Sequence, residues 1–95
     1  MSIRFEWDSL KDIVNQRKHG VSFSDAQNVF YDERALLIGD TSHSEEEDRF
    51  ILLGLSLTLR KLVVCHCYRD DAEIIRIISA RKATRNEARQ YTLGH

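Results

Sequence analysis

"RFILLGLSLTLRKLVVCHCYRDDAEIIRIISA", residues 49–80, is the stretch on which the fold turns. It holds three apolar runs, "RFILLGLSL" (49–57), "KLVVCHCYR" (61–69) and "EIIRIISA" (73–80), separated only by "TLR" and "DDA". Runs this short and this rich in branched aliphatic side chains read as strands. A three-residue connection cannot carry a parallel crossover, so the three form an antiparallel meander. Apolar residues occupy both parities, which predicts strands covered on both faces, or on one face by helices and on the other by a partner.

Working outward, "ALLIGD" (35–40) adds a fourth strand and "IRFEW" (3–7) a short first one. Leu10, Ile13, Val14 and Arg17 recur at helical spacing behind Asp8, whose carboxylate suits a helix start, and Gly20 can take the left-handed conformation that ends it; the spacing predicts a helix over 8–19. Ser24 with Gln27 resembles a capping box, and Ala26, Val29 and Phe30 continue one apolar face, so a second short helix is predicted over about 24–31. Thr84 with Glu87 makes another capping box, opening a helix over about 84–92. The order β-α-α-β-β-β-β-α predicts an α+β domain, a twisted antiparallel sheet with its helices mainly on one face.

Ninety-five residues suit a single domain spanning 1–95, and 42% apolar with 31% charged residues is ordinary for a soluble globular chain. No uncharged run is long enough for a bilayer and no secretory signal opens the chain, so a cytoplasmic protein with no membrane partner is expected. Proline is absent and glycines number four, which leaves no low-complexity linker. Cys65 and Cys67 flank His66 on one strand, where residues two apart lie roughly 6–7 Å from each other, at the edge of disulfide reach. Zinc needs further ligands that no second cysteine pair supplies, so buried free thiols in a reducing compartment are expected. His43 among Glu45, Glu46, Glu47 and Asp48 lies in a loop without defined ligand geometry, and no metal or cofactor is expected.

The net charge of −1 argues against a bulk electrostatic nucleic-acid binder, but the charge is partitioned. Residues 40–48 carry five acids and no Lys or Arg, the mark of a solvated loop. Residues 76–89 carry Arg76, Arg81, Lys82, Arg85 and Arg89 against Glu87 alone, which is either a solvated helix face or an anion-binding surface. Arg76 interrupts a run of isoleucines and needs a partner there: an ion pair with Asp70, Asp71 or a glutamate, or a phosphate held in its planar fork. Arg81, five residues on, faces the other way along an ideal strand, and only a bend near Ser79 brings both arginines to one pocket. His66 and Tyr68 share parity, with Arg69 at the exposed end of their strand. A strand histidine is ordinarily a satisfied core or surface group, yet beside arginines it titrates near neutrality and moves protons. In "RKHGVSF" (17–23), Lys18 and His19 complement the negative end of the helix dipole before Gly20, so capping alone accounts for their order.

Taken together, "FEWD" (5–8), "RKHGVSF" (17–23), "VFYD" (29–32), "DTSHSEEEDRF" (40–50) and "IRIISARKAT" (75–84), with Glu87 and Tyr91 in the closing helix, resemble the BrnT family of toxins from type II toxin-antitoxin systems, over nearly the whole chain. The resemblance implies a RelE-like ribonuclease fold, RNA cleavage that shuts down translation, and neutralisation by a BrnA-type antitoxin that carries the DNA-binding element. A heterotetramer of two toxins and two antitoxins is implied with it, so DNA is met only through the antitoxin. It also implies the site. Lys18, His19, His66, Arg76 and Arg81 are the catalytic candidates, and Arg49, Arg69, Lys82 and Arg85 the RNA-binding ones. Metal-free cleavage by the neighbouring 2′-hydroxyl needs a base, a leaving-group acid and cations around the phosphate. His19 or His66 then takes or gives the proton, while Lys18, Arg76 and Arg81 stabilise the extra negative charge. The alternative is a non-catalytic RNA- or protein-binding module acting mainly as co-repressor with its antitoxin. Independently of the family, four strands apolar on both parities leave more apolar surface than three short helices cover, which suits an antitoxin segment.

Overall fold

The computed structural model describes residues 3–40 and 48–94. Along the chain run β1 (Arg4–Glu6), α1 (Ser9–His19), α2 (Phe23–Gln27) continued by one 3₁₀ turn (Asn28–Tyr31), β2 (Leu36–Asp40), β3 (Phe50–Leu55), β4 (Lys61–Arg69), β5 (Ile74–Lys82) and α3 (Arg85–Leu93). The strands form one five-stranded sheet in the order β1-β5-β4-β3-β2. Strands β2 to β5 make the antiparallel meander that their short connections require. Strand β1 departs from the all-antiparallel expectation, pairing in parallel with β5 at the sheet edge through Arg4–Ile74, Phe5–Ile75 and Glu6–Arg76.

Local chemistry sets the helix ends. Asp8 Oδ1 accepts from the amides of Leu10 and Lys11 at 2.8 and 3.2 Å, and Gly20, at φ 70°, donates to Gln16 O and closes α1. Helix α2 is capped by Ser22 rather than by the expected Ser24. Ser22 Oγ accepts from Asp25 N at 3.0 Å, and the earlier start turns Phe23 into the core, where it is fully buried. The box at Thr84 forms in both directions, with Glu87 N donating to Thr84 Oγ1 and Thr84 N to Glu87 Oε1.

Side chains of Val21, Phe23, Ala26 and Val29 pack on Leu62, Val64, Ile77 and Ala80, so α1, α2 and the 3₁₀ turn cover one sheet face. Where β3 passes under that turn only glycine fits, because a Cβ on Gly54 would stand 2.7 Å from Val29 Cγ1 and 3.0 Å from Ala35 Cβ. Helix α3 crosses the opposite face above buried Leu53 and Val63, tied by Lys61 Nζ to Thr92 Oγ1 (3.2 Å) and by Tyr91 Oη to Asp32 Oδ2 (2.7 Å). Asp32 also accepts from Leu55 N, so one carboxylate joins the 3₁₀ turn, β3 and α3; burial pushes its pKa up, and these donors more than offset that, holding it below the ordinary value. Cys65 is half-buried and Cys67 fully buried. Residues 41–47, which carry His43 and most of the acidic run, lie outside the described residues.

Candidate active site

The register of β4 against β5 decides which cations meet. Cys65 faces Ser79 but His66 faces Ile77, so Ile78 is an unopposed bulge residue. A bulge advances the side-chain alternation by one position. Arg76 opposite Cys67, Ser79 opposite Cys65 and Arg81 opposite Val63 therefore share one face, the bend near Ser79 on which the sequence reading depended. Arg69 lies on the same face by parity. Arg49 joins it, because Phe50 opposes His66 and one more step of that register sets Arg49 against Cys67.

Three guanidiniums thus surround Cys67 from three strands or their ends. Arg76 is half-buried, and its terminal nitrogen donates to Glu6 Oε2 at 2.9 Å; the partner is a glutamate on β1, not Asp70 or Asp71. Arg69 Nε lies 3.5 Å from the same oxygen. Arg49 Nε is buried and has no hydrogen-bond partner among the described residues. An unpartnered buried donor costs about 1–3 kcal/mol, more when charged, so this N–H is suited to an anion. At the far end of the face Arg81 forms a two-pronged pair with Glu87, at 2.8 and 3.0 Å.

That second pair has a pH signature. Above all the Arg81 hydrogen bonds, together with Thr84, hold the Glu87 carboxyl down to about 2 against the effect of burial. The folded-state pKa lies below the ordinary 4.5, so the contribution to stability is complete above that value and fades as pH falls from about 4.5 towards 2. Thermal midpoints measured from pH 2 to 6 should converge for the wild type and Glu87→Gln at the acid end and separate above pH 4.5. Parallel curves would show the pair to be inert.

The remaining candidates separate. Lys18 and His19 line a groove of about 290 Å³ between α1 and β5, with Leu10, Val14, Ile78 and Ser79. They meet the arginine face only at Ser79, between Arg76 and Arg81 in the strand, and neither arginine lines the groove. His66 is on the other face, fully buried and edge-on to Phe30 at 4.7 Å between ring centroids. Its Nδ1 is 3.2 Å from Val64 O, and since a carbonyl only accepts, Nδ1 carries the proton. Burial pushes its pKa below 6.5, so it is a neutral core histidine, out of reach of the arginines. Lys82 opposes Leu62 and projects from the helix-covered side, exposed. Arg85, exposed, begins α3. Sequence reading missed Glu6, because only the parallel pairing of β1 reveals its place among the arginines.

Fold and site define a small α+β domain with a cationic patch on one face of its sheet. Residues 7–87 match the family described as "Ribonuclease toxin, BrnT, of type II toxin-antitoxin system", and the chain belongs to that family. Type II systems pair a toxin with an antitoxin, so an antitoxin partner follows from membership. Among solved structures, the Brucella abortus ribonuclease toxin BrnT superposes with a TM-score of 0.66 at 22% identity, over 88% of this chain and 100% of that one. That likeness establishes the shared fold. No curated protein matches the sequence. Among the described residues no helix is long and apolar enough to cross a membrane.

Proposed function

We propose that the chain is the toxin of its system: a single-domain cytoplasmic endoribonuclease that cleaves RNA by attack of the neighbouring 2′-hydroxyl, without a metal, and so inhibits translation. The observation that carries this reading is the cluster of Arg49, Arg69 and Arg76 around Cys67, with the unpartnered Arg49 Nε among them. Planar guanidiniums suit the two acceptor oxygens of a phosphodiester and stabilise the charge it gains in the transition state. Arg81 extends the patch, Arg85 adds exposed charge at the start of α3, and Lys82 adds it on the opposite side of the sheet. Lys18 and His19 stand at the neighbouring groove, from which they serve the leaving oxygen.

The antitoxin in this reading is of the BrnA type, in a heterotetramer of two toxins and two antitoxins, with promoter DNA met only through the antitoxin. Exposed apolar side chains support a large partner interface. They lie on α1 (Leu10, Ile13, Val14), on the β3–β4 turn (Leu57, Leu59) and on the strands at Leu37 of β2 and Tyr68 of β4.

The purified chain should cut an RNA oligonucleotide in the presence of EDTA, leaving a 2′,3′-cyclic phosphate. An oligonucleotide with one 2′-deoxyribose at the cut site should survive intact there. Cleavage of the deoxy substrate rejects 2′-hydroxyl attack, and RNA binding without any cleavage favours a binding module.

A further inference from the structure

We propose that Glu6 is the general base of this reaction, the group that takes the proton from the attacking 2′-hydroxyl; the proposal rests on the ribonuclease reading above. The reaction needs a base near the phosphate, and the buried histidine His66 is on the wrong face to supply it. Glu6 is on the right one. The parallel pairing of β1 sets it opposite Arg76. Its Oε2 accepts from Arg76 at 2.9 Å and lies 3.5 Å from Arg69 Nε. The carboxylate thus sits between the two guanidiniums best placed to hold a phosphodiester, on a strand rather than a loop, with its side chain 37% exposed and open to substrate.

A guanidinium has five N–H donors in a fixed fork, so Arg76 and Arg69 can engage a phosphate while still touching Glu6. The 2′-oxygen of the same nucleotide is tied to that phosphorus through C2′, C3′ and O3′, so seating the phosphate on the arginines brings the hydroxyl to the carboxylate. In the step itself Glu6 takes the hydroxyl proton, the 2′-oxygen bonds to phosphorus, and the bond from phosphorus to the 5′-oxygen breaks. The departing oxygen takes a proton from Lys18 or His19. The products are a cyclic phosphate and a 5′-hydroxyl, with no oxidant or further reactant. The arginines neutralise the repulsion that the carboxylate would otherwise exert on RNA.

A glutamate that merely balanced charge behaves differently, and Glu6→Gln separates the two roles. Kinetics of RNA oligonucleotide cleavage by the full chain should show kcat lowered by about 10²–10⁴-fold, the usual contribution of a positioned base. KM should be unchanged or lower, since the freed arginines bind phosphate at least as well. The acid limb of the pH–rate profile should disappear, and Glu6→Asp should recover part of kcat with that limb restored. A thermal midpoint near that of the wild type shows that Glu6→Gln is folded. Wild-type kcat with the acid limb intact in Glu6→Gln overturns the proposal, and so does an equal loss in Glu6→Asp with no limb. A wild type that cuts no RNA overturns the ribonuclease reading itself, a failure distinct from either.

Discussion

Arg76→Ala is expected to lower kcat/KM for RNA cleavage by roughly 10²–10³, the usual cost of deleting one preorganised donor to charge that develops in a transition state. The side chain is placed by the sheet itself, opposite Cys67 on β4 and Glu6 on β1. Its stability cost should be small, because the Arg76–Glu6 pair is partly open to water and Arg69 stays beside Glu6 when Arg76 is gone. Arg76→Lys keeps the charge but loses the planar fork, and should recover no more than about a tenth of the lost rate. Arg81→Ala makes the useful contrast. Arg81 is engaged twice by Glu87, which also closes the α3 capping box, so its loss should fall more on stability and less on the chemical step. Cleavage assays at fixed RNA concentration, read beside melting curves, give both quantities. Arg76→Ala cutting as fast as the wild type would place the phosphate elsewhere.

Why the arginine face was only half legible in the sequence is a matter of parity. Strand existence, the meander and three helices follow from apolar spacing and short connections. The caps at Asp8, Gly20 and Thr84 follow from side-chain chemistry, and all of these form. Faces are harder. In "KLVVCHCYR" both parities are apolar, so nothing local says whether Cys67 or His66 turns toward the helices, and His66, ordinarily a core or surface group on a strand, is a candidate base only through the arginines near it in sequence. The bulge at Ile78 leaves no mark in "IRIISAR", since isoleucine is ordinary at a paired position, and it alone moves Arg81 onto the face of Arg76. Glu6 was hidden for a different reason. Its partner Arg76 is 70 residues away, and a three-residue edge strand carries too little pattern to announce a parallel neighbour. The Ser22 cap shows local competition, where burial of Phe23 outweighs the better-looking Ser24–Gln27 spacing.

Asn15→Ala should be the most destabilising polar substitution in α1. Strand β1 pairs with β5 only at Ile74, Ile75 and Arg76, which leaves the rest of that β5 edge without a strand partner on this side. Asn15, 6% exposed, takes the place of one at Ala80: its Oδ1 accepts from Ala80 N at 3.1 Å, and its Nδ2 donates to Ala80 O and Val21 O, each at 2.8 Å. Alanine removes the amide and leaves one N–H and two carbonyls without that partner in a dry site. At about 1–3 kcal/mol for each group left unsatisfied, partly relieved by entering water, the loss should be about 3 kcal/mol. For a domain of this size that lowers the melting midpoint by roughly 12–24 °C. Asn15→Asp should be no better, since its second oxygen would face the carbonyls of Val21 and Ala80. Asn15→Leu should also fail, filling the volume without making the bonds. Urea denaturation measures the loss, and a change below about 1 kcal/mol would mean that water replaces the amide fully. The same contact holds α1 against β5 and shapes the groove that presents Lys18 and His19 beside Ser79. Cleavage by Asn15→Ala, assayed well below its own melting midpoint, should therefore fall as well. That loss should appear in kcat if the groove supplies the leaving-group proton, and in KM if it only helps to hold the RNA.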